Sequence, residues 1–197
     1  MLSGSGRTIL NLLDAIRDGR LDANLSNAIA SRQCPGADEL NKRGLEVRTI
    51  PGPIESDQFS ALLAELDIDW VVLGGYLKLV PIVPRYRGRI VNIHPALLPE
   101  FGGKGMHGLC VHKAVIEAGR TESGCTVHLC DARYDRGPIV HSRRCPVRPD
   151  DTPESLAARV FEQETRAYPE ALSMLFDLDA RRSGPPDPPP SPGRTIP

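Results

Sequence analysis

Ile90-Val91-Asn92-Ile93-His94-Pro95-Ala96-Leu97-Leu98-Pro99 is the stretch from which the rest of the chain can be read. It has the form of a short strand that stops at a proline. The flanking Ile90, Val91 and Ile93 suit a buried parallel strand, which is apolar on both faces. Side chains alternate along a strand, so Asn92 and His94 share one face. Two polar groups in such a strand need partners or a purpose. An amide N–H donor beside an imidazole, at the carboxyl end of a strand, suits stabilising an oxyanion and moving a proton. A pair of hydrogen-bonded core polars would look the same at this point.

Upstream, strands and helices alternate. Ile9, Leu10, Leu12, Leu13 and Ile16 make a helical stripe. Leu25 to Ala30 reads as a strand, Asp38 to Arg43 as a helix closed by Gly44, and Val47 to Ile50 as a strand stopped by Pro51-Gly52-Pro53. Gln58 to Leu66 is helical, and Trp70 to Leu73 is a short apolar run fit for a central strand. A helix from about His107 to Ala118 follows the decisive strand. This order predicts an α/β fold with a mostly parallel central sheet and helices on both faces. Downstream, Gly124 to Cys130 and Pro138 to Val147 predict an antiparallel hairpin. Thr152 and Pro153 then open a long helix as N-cap and first residue. Its stripe is Leu156, Val160, Phe161, Ala167, Tyr168, Ala171 and Leu175, and Pro169 is expected to bend or split it. Residues 1–180 form one domain. From Arg181 to Pro197 the chain is rich in proline and reads as a disordered tail.

Bulk properties narrow the function classes. The chain has 197 residues, with 24 basic against 25 acidic, so no cationic field points to nucleic acid or a membrane surface. Five cysteines at irregular spacings give neither a disulfide framework nor a zinc motif, and a reducing cytoplasm is the expected setting. His107, Cys110 and His112 stand close together without a fourth ligand at a recognised spacing, so no metal is assigned. Nothing reads as a membrane span or signal peptide.

Other segments carry possible chemistry. Ser3-Gly4-Ser5-Gly6-Arg7-Thr8 runs into a helix whose free N–H groups attract phosphate, though a plain turn would look alike. Asp135, before Gly137-Pro138, is either an Asx-turn residue or a carboxylate set against His94, raising the pKa of the imidazole. Glu164 falls on the apolar stripe of the long helix, either solvated at its edge or facing a cation such as a substrate amine. Gly74-Gly75 and Leu77-Lys78-Leu79 offer close backbone approach and apolar surface for a flat ring, or simple core packing. Only Met1 and Leu2 precede the Ser3–Gly6 loop, where a first strand of about five residues is expected. A natural frame continuing upstream of Met1 into that strand is therefore expected, with poor stability of the short form.

Together these segments closely resemble the folate-dependent formyltransferases, in their phosphoribosylglycinamide branch, over nearly the whole chain to about Leu178. The resemblance rests on Asn92-Ile93-His94-Pro95-Ala96-Leu97-Leu98-Pro99, on Thr126-Val127-His128 and on Asp135-Arg136-Gly137-Pro138. Phe101-Gly102-Gly103-Lys104-Gly105-Met106-His107-Gly108 is similar to a variant of the glycinamide branch, and Gln163-Glu164 to its amine-binding helix. The resemblance implies a Rossmann-like formyltransferase fold and formyl transfer from 10-formyltetrahydrofolate to the amine of glycinamide ribonucleotide. It also implies small-molecule partners only, with no metal. Asn92, His94 and Asp135 would be catalytic, and Gly6, Arg7 and Thr8 would hold the substrate phosphate. Glu164 would hold the amine, and Leu77, Lys78, Leu79, Leu129, Cys130 and Asp131 would line the folate pocket. Arg7-Thr8 departs from the Ser-Asn or Thr-Asn of many members. A tetrahedral intermediate would then be held by Asn92 and a protonated His94. An amino-sugar formyltransferase and a non-catalytic folate-pocket protein are the competing readings. A methionyl-tRNA enzyme would need a further basic domain, and a formyltetrahydrofolate hydrolase an amino-terminal one.

Overall fold

In the computed structural model, which describes residues 1–183, the predicted alternation of strands and helices is present. The elements are α1 (Arg7–Arg17), β1 (Ala28–Ala30), α2 (Pro35–Lys42), β2 (Val47–Thr49), α3 (Ser56–Glu65), β3 (Val71–Leu73), β4 (Ile90–His94), α4 (Leu109–Glu117), β5 (Glu122–Leu129), β6 (Ile139–Pro146) and α5 (Pro153–Ser183). β1 and β2 pair in parallel, as do β3 and β4, whereas β4–β5 and β5–β6 are antiparallel. The expected parallel sheet with a carboxyl-terminal hairpin is thus the observed architecture.

Met1 and Leu2 lie between the two sets of strands. Leu2 N–H donates to Ile29 O and Leu2 O accepts from Ser31 N–H, both at 3.0 Å, while Met1 O accepts from Gly74 N–H at 2.9 Å. The strand order across the molecule is therefore β2-β1, Met1–Leu2, then β3-β4-β5-β6.

Two apolar cores lie on opposite sheet faces, as period-two alternation requires. Val91 and Ile93 of β4, with Cys125 and Val127 of β5, pack against α1, α2, α4 and α5. Val71 and Leu73 of β3, with Ile90 of β4, pack against Phe59, Leu62 and Leu63 of α3.

Helix α5 opens as its sequence predicts. The Thr152 hydroxyl accepts from Ser155 N–H at 3.2 Å, and the Ser155 hydroxyl accepts from Thr152 N–H at 3.0 Å, a reciprocal cap. Of the bend or split expected at Pro169, the split does not occur: α5 runs unbroken through it. Proline lacks the N–H that would bond the carbonyl four residues back, that of Thr165. Asn11 of α1 supplies the missing donor, its Nδ2 giving a 3.2 Å bond to Thr165 O. The helix also extends three residues past the expected domain end at 180; the remainder of the proline-rich segment lies outside the described residues. No helix among the described residues is long and apolar enough to cross a membrane.

Candidate active site

Asn92 and His94 emerge on one face at the carboxyl end of β4, and the antiparallel register sets His128 opposite Asn92 and Thr126 opposite His94. The loop after His94 is fixed from β5, because the Thr126 hydroxyl donates to Ala96 O at 2.7 Å and accepts from Leu98 N–H at 3.0 Å. Leu98-Pro99 is a cis peptide. Asp135 arrives from the β5–β6 loop with a left-handed φ of 55°. Gly137 lets that loop return. A Cβ there would lie 1.8 Å from Leu129 O, so only glycine fits.

The three groups meet. Asp135 Oδ2 lies 3.5 Å from His94 Nδ1, and Asp135 Oδ1 is 3.4 Å from Asn92 Nδ2. His94 Nε2 donates to Phe101 O at 2.8 Å, and Gly103 N–H donates to Asp135 Oδ2 at 2.8 Å. The glycine-rich 101–108 segment therefore clamps both the imidazole and the carboxylate.

The electrostatics correct one expectation. Burial pushes the His94 pKa below its ordinary 6.5, outweighing the raising effects of Asp135 and the Phe101 carbonyl. Desolvation disfavours the imidazolium more than one carboxylate favours it. Burial alone would raise Asp135, yet its imidazole neighbours His128 and His94 and the Gly103 N–H hold it below the ordinary range. The resting pair at neutral pH is thus a carboxylate and a neutral imidazole. Its Nε2 hydrogen is committed to Phe101, and its free Nδ1 faces Asp135.

These groups floor a cleft of about 490 Å³. Thr8 and Glu164 line one part of it, and Leu77, Lys78, Leu79, Cys130 and Asp131 another. Leu77 and Leu79 are 38% and 42% exposed, an unusual presentation of two leucines beside a polar floor. Burial pushes Glu164 up to about 7, opposed only by the charge of Arg7. Gly6 and Arg7 stand outside the cleft wall. Gly6, at φ 72°, packs so tightly on Gly36 that a Cβ on Gly36 would lie 2.6 Å from Gly6 N. The Arg7 guanidinium lies 4.3 Å above the Phe161 ring centre. Leu129 turns its side chain into the core, not into the cleft. Ser3 links the amino-terminal loop to the cleft, its hydroxyl accepting from Leu77 N–H at 3.0 Å.

His128 is a site residue that the sequence reading passed over, although Thr126-Val127-His128 was singled out. It is 2% exposed and touches both Asn92 and Asp135. Its alternation with Val127 puts it on the Asn92 face, but only the β4–β5 register reveals the pairing. His107 lines the cleft, Cys110 is exposed and His112 is buried; among the described residues no group of three or more metal-ligating side chains forms.

The formyl transferase family profile matches residues 1–172. The chain is 35% identical over 186 residues to a protein of Arabidopsis thaliana named phosphoribosylglycinamide formyltransferase, chloroplastic, covering 89% of this chain and 64% of that one. It is 37% identical to the Vigna unguiculata protein of the same name, covering 89% and 59%. The chain therefore spans less than two thirds of the length of these curated relatives. The crystal structure of glycinamide ribonucleotide transformylase 1 from Symbiobacterium toebii superposes with a TM-score of 0.79 at 33% identity, covering 89% of this chain and 85% of that one.

Proposed function

The chain belongs to the formyl transferase family, and from that premise we propose that it moves a formyl group from 10-formyltetrahydrofolate to the amine of glycinamide ribonucleotide. The observation that carries this reading is the convergence of Asn92, His94 and Asp135 on the floor of one cleft. The names of the relatives point the same way for the acceptor. A reducing, cytoplasmic setting belongs to the same reading.

The residues present fit such a donor. Leu77 and Leu79 give a flat ring apolar contact, and Lys78, Cys130 and Asp131 stand beside them. When bound, the folate supplies an activated formyl carbon. Everything else is done by the chain. Glu164 holds the acceptor amine, and Thr8 with the first-turn N–H groups of α1 holds its phosphate. As the amine attacks, Asn92 Nδ2–H donates to the carbonyl oxygen while it becomes negative. His94 Nδ1, unprotonated at rest, takes the proton that the attacking nitrogen must lose and passes it to the departing folate nitrogen. Asp135 stabilises the imidazolium in between. One N–C bond forms and one breaks, with no covalent enzyme intermediate.

The test is turnover of the purified chain with 10-formyltetrahydrofolate and glycinamide ribonucleotide, followed by mass spectrometry of the acceptor. Formylated ribonucleotide is expected. Formylation of an amino-sugar nucleotide instead would replace the acceptor, and folate binding without turnover on either would make this a binding protein.

A further inference from the structure

The orientation of the Asn92 side chain is decided by a residue that no part of the proposed reaction uses. His128 Nδ1 lies 3.0 Å from Leu129 O. A carbonyl only accepts, so Nδ1 carries a hydrogen. The other nitrogen, Nε2, lies 3.1 Å from Asn92 Nδ2 and 3.4 Å from Asp135 Oδ1. An imidazolium would set an Nε2–H donor against the amide's own donor at 3.1 Å. Turning the amide over would remove that conflict but place its oxygen 3.4 Å from an ionised carboxylate oxygen. One arrangement gives both hydrogens of the Asn92 amide an acceptor. His128 is neutral with hydrogen on Nδ1, and Asn92 gives one N–H to the Nε2 lone pair and leans the other toward Asp135.

We infer that His128 is a positioning residue that locks the Asn92 amide with its NH2 toward the reaction centre. The two amide hydrogens are unequal. The one on His128 is a full hydrogen bond; the one toward Asp135, at 3.4 Å, is long and weak. The weak one is available to an oxygen acquiring charge, and the strong one holds the group still while it is used. At 2% exposure and placed by strand register directly opposite Asn92, His128 lines the cleft floor and acts through that amide.

This role in turnover rests on the proposed formyl transfer, whereas the pairing itself does not. Nitrogen-15 NMR of the imidazoles in the full chain without substrate, near pH 7.5, is expected to show His128 neutral with the proton on Nδ1. One proton of the Asn92 side-chain amide is expected to be shifted downfield and protected from exchange with water by its bond to the His128 lone pair. His128→Leu should remove that shift and protection and lower kcat about 10-fold or more with KM nearly unchanged; loss of a whole oxyanion donor, about 10²–10³-fold, bounds the effect. His128→Gln, whose side-chain oxygen accepts the same N–H, should restore most of the rate. A proton on Nε2, or a leucine variant with unchanged amide signals and kcat, overturns the inference. Should both variants fail to fold, the tautomer in the unaltered chain decides. Should the chain formylate no ribonucleotide, the amide signals still decide, and only the proposed acceptor falls.

Discussion

His94 works as a base because burial outweighs its carboxylate neighbour. Its pKa is held below 6.5, so kcat should rise from acid pH and level off before neutrality. Asp135 pulls the other way, raising His94. Asp135→Asn should therefore move the acid limb to still lower pH while cutting kcat about 10²-fold. A limb that moves upward, or does not move, would show that Asp135 does not face the imidazole during turnover. Glu164 has the opposite sign. Its carboxyl, pushed up to about 7, is half protonated at neutrality and mostly charged only above it. KM for the acceptor should fall as pH climbs from about 6 to 8 as this carboxylate forms. Glu164→Gln should raise KM about 10- to 100-fold, the worth of a charged hydrogen bond, and abolish that pH dependence with kcat little changed. A pH-dependent KM surviving in Glu164→Gln would assign the titration to another group. Asn92 and His94 were legible because strand alternation alone puts them on one face. The direction of the His94 shift was not, since it depends on how deeply two cores bury the imidazole.

Helix α5 shows how an element tolerates a residue its own rules forbid. Pro169 removes a donor and leaves Thr165 O unpaired, and the repair comes from another helix through Asn11. Asn11→Ala should cost about 0.5–1.5 kcal/mol, because the half-buried carbonyl loses its partner. Pro169→Ala returns the missing N–H, so in that background the same Asn11→Ala change should cost much less. Thermal unfolding of the four proteins of this cycle measures the coupling. Equal costs in both backgrounds would mean that the Asn11 bond is incidental. Local patterns made most elements readable: the Thr152 cap, the Pro153 start and the apolar stripes fall where the sequence sets them. The continuity of α5 was unreadable, because the rescuing donor lies 154 residues away along the chain. His128 escaped for a similar reason, since partners across strands are fixed by register and not by spacing.

Across the whole molecule, the site is held at the meeting of sheet and helix, and Tyr168 ties the two. Its hydroxyl donates toward Leu73 O at 2.8 Å, at the carboxyl end of β3, and lies 3.1 Å from Val91 O in the adjacent parallel strand β4. The stripe of α5 announced Tyr168 as a core residue, which it is, at 0% exposure. Periodicity gives burial but not the partner of a buried hydroxyl, so the tie to the sheet was invisible. Both tied strands lead to the chemistry: Leu73 runs into the cleft segment that ends at Leu77–Leu79, and Val91 immediately precedes Asn92. Tyr168→Phe keeps the ring and its packing while leaving two buried carbonyls without that donor. A cost of about 1–3 kcal/mol is expected, a fall in Tm of roughly 2–4 °C for each of those kcal/mol in a domain of this size. Because the loosened strands are those that present Asn92 and the apolar wall, kcat should fall and KM for the folate should rise together. That joint change distinguishes Tyr168 from a residue acting on the transition state alone. Differential scanning calorimetry beside steady-state kinetics makes the measurement. A phenylalanine variant as stable as the parent would show that water replaces the hydroxyl, and that the sheet positions its strand ends without help from α5.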